Sequence, residues 1–198
     1  MKNIETGCKV LVVGGDYVGK SSLEIQICTG HFVPNYQHNP MADMYSTVEI
    51  LNNYKVHLFF IAQPFSREDY DMDTYKYAIE SQYPNALAFV FCYSITSSAS
   101  FEEVKVIKES VWKMKKMKMF ETLPAVLCGT KCDLENEREV TTENGEELAN
   151  EWGMPFFECS AKLNINVKNV SQSLAHLVIV KKNSNWVRKE KTKGCFLV

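Results

Sequence analysis

The chain has 198 residues, 45% hydrophobic and 23% charged, a composition that suits one soluble domain with a full core. No apolar run approaches the 18 residues of a spanning helix and the N-terminus has no signal-peptide core, so a secreted or membrane-spanning chain is excluded and the cytosol is the expected compartment. The net charge of −2 is unevenly spread: residues 181–194 carry +5 and the body −7, which makes an anionic surface, and not nucleic acid, the expected partner of that tail.

In chain order, the first strand-like run is Cys8–Val13, and a helix is expected over Ser21–Thr29. Between them, Gly14-Gly15-Asp16-Tyr17-Val18-Gly19-Lys20-Ser21 fits the phosphate-binding loop pattern G-x-x-x-x-G-K-[ST] in its strand–loop–helix context. Glycines let backbone N–H groups approach phosphate oxygens, and a helix N-terminus adds unsatisfied donors and a positive dipole end. Lys20 would reach the terminal phosphates and the Ser21 hydroxyl would sit on Mg²⁺, with Ser22 next in the same turn.

Val48–Leu51 and Val56–Ile61 flank Asn52-Asn53-Tyr54, which reads as a hairpin connection. Leu87–Tyr93, Ala125–Cys128 and Pro155–Cys159 follow as continuous runs, as expected of parallel strands buried on both faces. Ser100-Phe101-Glu102-Glu103 reads as a capping box, with Glu103 reaching back to the Ser100 N–H, before a helix with Val104, Ile107, Val111 and Met114 on its apolar face. Helices over Thr142–Trp152 and Val167–Val180 come next, the last with Val167, Val170, Leu174 and Leu177 as its buried stripe. Strand–helix alternation with one hairpin implies an α/β fold with a mostly parallel sheet covered on both faces. Cys8, Cys92, Cys128 and Cys159 lie in or beside apolar runs and read as small buried hydrophobes.

A second ligand-reading segment, Thr130-Lys131-Cys132-Asp133, follows the strand Ala125–Cys128, at the carboxyl end where α/β sheets place binding residues. An Asp there can accept hydrogen bonds from two donors on one base edge, which guanine offers side by side and adenine does not. At Cys159-Ser160-Ala161-Lys162, another strand ends in small residues whose backbone can approach a base.

With these three segments in this order, the chain resembles the Ras superfamily of small GTPases over essentially its whole length. Thr130-Lys131-Cys132-Asp133 is similar to the guanine-specificity motif in its Thr-for-Asn form, and Cys159-Ser160-Ala161-Lys162 to the S-A-K motif. His31-Phe32-Val33 follows the first helix as in Ras-like proteins, where the Phe packs edge-on to the guanine. The resemblance implies a P-loop NTPase G domain over residues 1–180, with a six-stranded sheet of which one strand is antiparallel, GTP or GDP and Mg²⁺ as ligands, and protein effectors as partners. Thr130, Glu68-Asp69-Tyr70 and the Ser97-to-Phe101 stretch look like the Rho branch, whereas the 26 residues between Asp133 and Ser160 are a Ras-like spacing.

The departures from the family cluster where hydrolysis is done. The first switch should supply a Thr to Mg²⁺; aligning Pro40 puts Met41 in its place, Asn39 and Pro40 fit other registers, and none carries a hydroxyl. A thioether is a poor ligand for an ion that demands hard oxygens. The second switch should open with D-x-x-G-Q, and the chain reads Gln63-Pro64-Phe65-Ser66-Arg67. Gln63 thus replaces the acidic support of Mg²⁺, Ser66 the hinge Gly, and Arg67 the Gln that orients the attacking water. Asp16 stands where Ras-like proteins usually have Gly, beside phosphate charge that repels a carboxylate. With only Ser21 left to the metal, nucleotide affinity is expected to depend weakly on Mg²⁺.

The chain closes on Cys195-Phe196-Leu197-Val198, a C-a-a-X box with Val outside the commonest last residues. Residues 181–198 read as a flexible basic tail, in which Lys181, Lys182, Arg188, Lys189, Lys191 and Lys193 give a second, electrostatic signal beside a prenyl group on Cys195. The expected place is the cytoplasmic face of a membrane, the plasma membrane first. Three readings stand: a membrane-anchored guanine-nucleotide-binding signalling protein with very slow or absent hydrolysis, a conventional GTP/GDP switch with compensating residues such as Asp43 or His38, and a nucleotide-free interaction module.

Overall fold

A computed structural model describes residues 2–34, 44–51, 53–62, 82–116 and 123–193, with side chains from residue 7 to residue 183. Six strands, β1 (Lys2–Gly14), β2 (Tyr45–Leu51), β3 (Tyr54–Ala62), β4 (Ala88–Ser94), β5 (Ala125–Thr130) and β6 (Phe156–Cys159), form one sheet in the order β2-β3-β1-β4-β5-β6. Only the β2–β3 pair is antiparallel. Leu51 pairs with Tyr54 across a two-residue turn, in which Asn53 takes the left-handed φ of 66° that Asn tolerates. Among the described residues the α-helices are α1 (Lys20–Thr29), α2 (Ser98–Met114), α3 (Thr142–Trp152) and α4 (Val167–Lys193).

Alternation along the buried strands feeds two cores. Val10 and Val12 of β1, with Val90 and Cys92 of β4, face Leu23 of α1 and Val170, Leu174 and Val178 of α4. Leu11 and Val13, with Phe89, Phe91 and Tyr93, face Val104, Ile107 and Val111 of α2 and Leu148 of α3. Every residue of β4 and β5 is buried, which is why those strands read as unbroken apolar runs. Cys8, Cys92, Cys128 and Cys159 are free thiols packed in the first core, and burial pushes the Cys8 thiol up to about 12.

Two local expectations need correction. The cap of α2 is Ser97, whose side chain accepts from the Ser100 N–H at 3.2 Å, so the helix starts before the capping box expected at Ser100. The Ser100 hydroxyl instead accepts from the Ser94 N–H at 3.0 Å and pins the helix start to the end of β4. Glu103 is thereby released from capping. The last helix does not stop at Val180: it continues to Lys193, so residues 181–193 are helical where the sequence suggested a flexible tail. Its Lys, Arg and Glu residues are good helix formers, and no Gly or Pro intervenes before Gly194.

Candidate functional site

Two glycines let the chain pass close to its neighbours where β1 ends, and at Gly14 the neighbour is backbone that cannot give way. A Cβ on Gly14 would run into the carbonyl oxygen of Cys92 on neighbouring β4, and one on Gly15 into the Glu103 carboxylate of α2. Tyr17 and Gly19 take left-handed φ values of 57° and 92°, and Gly19 leads directly into α1. The turn therefore points its backbone at the open N-terminus of α1, an anion-binding arrangement. Val18 is buried beneath it, whereas Asp16 and Tyr17 are exposed.

Lys20 is 9% exposed, and its Nζ donates to the Gly15 carbonyl oxygen. Burial pulls its pKa down, while Cys92, Asp16 and Glu103 push it back up. Glu103 lies above the usual carboxylate range through burial and the nearness of Asp16, with Lys20 opposing. Two carboxylates thus lie near the lysine that a phosphate would claim.

On the far side of Gly19 lies a cavity of about 220 Å³. Thr130, Lys131 and Asp133 wall it from the end of β5, Ala161 and Lys162 from the loop after β6, and Phe32 from the segment after α1. Gly19, Ser22 and Leu23 complete it at the start of α1. Three segments far apart in sequence, each singled out as reading a base, therefore meet in one pocket beside the phosphate loop. The Thr130 hydroxyl bonds the Tyr93 carbonyl at 2.9 Å and the Val18 carbonyl, tying β5 to the loop. Ser160 is also structural. It is fully buried, exchanges backbone hydrogen bonds with Ile165, and accepts from the Leu163 N–H at 3.0 Å, so it shapes the loop that carries Ala161 and Lys162.

Sequence reasoning missed three charged residues around this site. Arg138 grips Glu158 through both Nη atoms at 2.6 and 2.9 Å and also bonds Glu135, bracing the turn after β5 against β6. Those partners push the guanidinium pKa up. Glu103 reaches the loop from α2. Glu24, 2% exposed on α1, accepts from the Ala62 N–H at 2.9 Å at the end of β3. Neither Glu24 nor Glu103 belongs to a motif, because only the fold brings them to the loop.

Met41 and the other first-switch positions, together with Gln63, Ser66 and Arg67, lie outside the described residues, as does Cys195. Among the described residues the site fits a nucleotide: a glycine-rich loop at the start of α1, a buried lysine, and a pocket edged by one carboxylate. Ser21, second residue of α1, offers the hard oxygen that Mg²⁺ prefers.

A model of the Ras family matches residues 9–180. The chain is 38% identical over 160 residues to Ras-like protein rasB of Dictyostelium discoideum, covering 80% of this chain and 76% of that protein. It is 35% identical over 167 residues to a Ras-like protein of Laccaria bicolor, covering 84% and 75%.

Proposed function

This chain belongs to the Ras family of small GTPases, and from that membership we propose that it binds guanine nucleotide, hydrolyses GTP very slowly or not at all, and acts in signalling from the cytoplasmic face of a membrane. The observation that carries the reading is the junction of a complete base pocket with a phosphate loop that bears an acidic residue. Asp133 would accept from the guanine edge, Phe32 would pack against the ring, and Lys20 would exchange its Gly15 carbonyl for phosphate oxygens. Asp16 and Glu103 oppose the negative charge that builds as the terminal phosphate transfers. Binding is thereby supported and turnover is not, so such a protein works by standing occupancy and partner contact.

The test is the identity of the nucleotide that freshly purified protein releases on denaturation, resolved by chromatography. GTP is the expected result. GDP would point to a conventional switch, and the absence of nucleotide to an interaction module.

The membrane half of the proposal rests on Cys195 and on the basic residues between 181 and 193. No helix among the described residues is long and apolar enough to cross a membrane, so attachment would come from lipid and charge. Thirteen helical residues at about 1.5 Å each carry the chain about 20 Å beyond Val180, enough to hold the folded body off a surface. Membrane recovery of the prenylated protein should fall as salt shrinks the Debye length from about 10 to 3 Å. Changing the six basic residues to Gln should weaken recovery without preventing lipidation, and Cys195→Ser should make the protein soluble. A Ser variant that pellets with membranes as fully as the parent would refute this anchor.

A further inference from the structure

We propose that Arg138 is a positioning residue for base recognition: clamped to Glu158, it fixes the turn that carries Asp133 so that this carboxylate reads both donors of the guanine edge. The inference rests on the nucleotide-binding reading above and names what sets the selectivity of that pocket.

The clamp uses every donor of the guanidinium. Nη1 and Nη2 donate to the two Glu158 oxygens at 2.6 and 2.9 Å, and Nε and Nη2 to the two Glu135 oxygens at 2.9 and 2.8 Å. Nη1 also donates to the Val140 carbonyl at 2.9 Å, which engages all five N–H groups. Backbone bonds carry this fixed point back to Asp133. The Arg138 N–H donates to the Glu135 carbonyl at 3.2 Å, the Glu137 N–H to Leu134 at 2.9 Å, and the Leu134 N–H to Lys131 at 2.9 Å. Residues 131 to 138 are therefore a run of overlapping turns with Asp133 inside it. Glu158 holds the other wall of the pocket. Its backbone carbonyl accepts from Asn166 Nδ2 at 2.7 Å, directly after Ile165, whose backbone pairs with Ser160 to close the loop that carries Ala161 and Lys162.

Attachment alone does not require the clamp. The Cys132 N–H already donates to the Cys159 carbonyl at 3.1 Å, and the Glu139 and Val140 N–H groups to Ile95 at 2.8 and 3.0 Å. The Arg138 and Glu158 side chains are 15% and 17% exposed, and an ion pair so placed is weak evidence for stability, because desolvation offsets the attraction. What the pair adds is orientation, since an Arg fork on a carboxylate fixes angle as well as distance. Orientation is what Asp133 needs. To accept from guanine's ring N–H and its 2-amino group together, the carboxylate must lie along the base edge, and hydrogen bonds weaken steeply as their angle falls toward about 120°. A rotation of the turn that spoils this alignment leaves one bond in place of two.

The test compares affinities for GDP and for inosine diphosphate, whose base keeps the ring N–H and lacks the 2-amino group. The parent should favour GDP by about 10- to 100-fold, the worth of one charge-assisted bond. Arg138→Lys keeps the charge and loses the fork. Glu158→Gln keeps the shape and the carbonyl that holds Asn166, and removes the charge. In each variant the preference for GDP should fall at least about 5-fold, while affinity for inosine diphosphate changes less than about 2-fold. A preference that stays as in the parent, or two affinities that fall together as a purely structural loss would make them fall, overturns the inference. If one variant melts early the other decides, and if both do, the clamp holds the fold and the inference is overturned. A parent that binds no GDP refutes the nucleotide reading and this inference with it. A parent that binds GDP and inosine diphosphate equally, or variants that keep its preference, refutes this inference alone.

Discussion

Asp133→Asn should weaken guanine-nucleotide binding by about 2–4 kcal/mol, roughly 30- to 1,000-fold, and leave the fold intact. The loss is large because a half-buried carboxylate in the pocket wall would accept two donors from the base, and an Asn offers one oxygen and two unwanted N–H groups. The fold should survive because backbone bonds hold the turn. The Cys132 N–H donates to the Cys159 carbonyl at 3.1 Å and the Leu134 N–H to the Lys131 carbonyl at 2.9 Å. Competition titrations with GTP and ATP would check both halves. Equal affinity of the parent for the two nucleotides would remove the guanine assignment, and a variant that melts early would mean that Asp133 holds the turn.

The legibility of this pocket follows from its construction. Each wall is a short contiguous segment at a strand's carboxyl end, so residue type and spacing carry the information. Lys131 even takes a left-handed φ of 62° within its segment, a local property of the motif. The sheet was readable for a similar reason: β4 and β5 are buried on both faces and contain nothing but apolar or small residues. The N-terminal extension of β1 was not readable. Its register slips between Ile4 and Cys8, so the polar residues there follow no single alternation.

What the sequence hid depends on distance along the chain. Glu103 and Gly15 are far apart in sequence and adjacent in the fold, as are Glu24 and Ala62. A local reading assigned Glu103 to a cap because three serines, Ser97, Ser98 and Ser100, compete for that place within one turn. The winner was the one that frees Ser100 to bind the end of β4. Likewise α4 runs past Val180, since helix formers with no terminator keep a helix going.

Single-turnover hydrolysis of bound GTP should proceed no faster than on the order of 10⁻⁴ per second, the unaided rate of this kind of site, and Arg67→Gln should not raise it more than about 3-fold. The expected deficit lies in the phosphate clamp and in the attacking water. By the sequence alignment Ser66 would take the hinge glycine's position, with Pro64 two residues before it. Asp16 is exposed on the loop and, with Glu103, lies near Lys20, so negative charge stands close to the cation that should neutralise the transferring group. A Gln at residue 67 could orient a water, but toward a phosphate whose charge the site still resists. Asp16→Gly with Arg67→Gln should therefore exceed either single change, because it relieves the repulsion and supplies the orienting amide together. The measurement is phosphate release from preloaded protein followed for many hours. Turnover by the parent above about 10⁻³ per second would mean that residues of this chain replace the missing ones fully, and would make it a conventional switch.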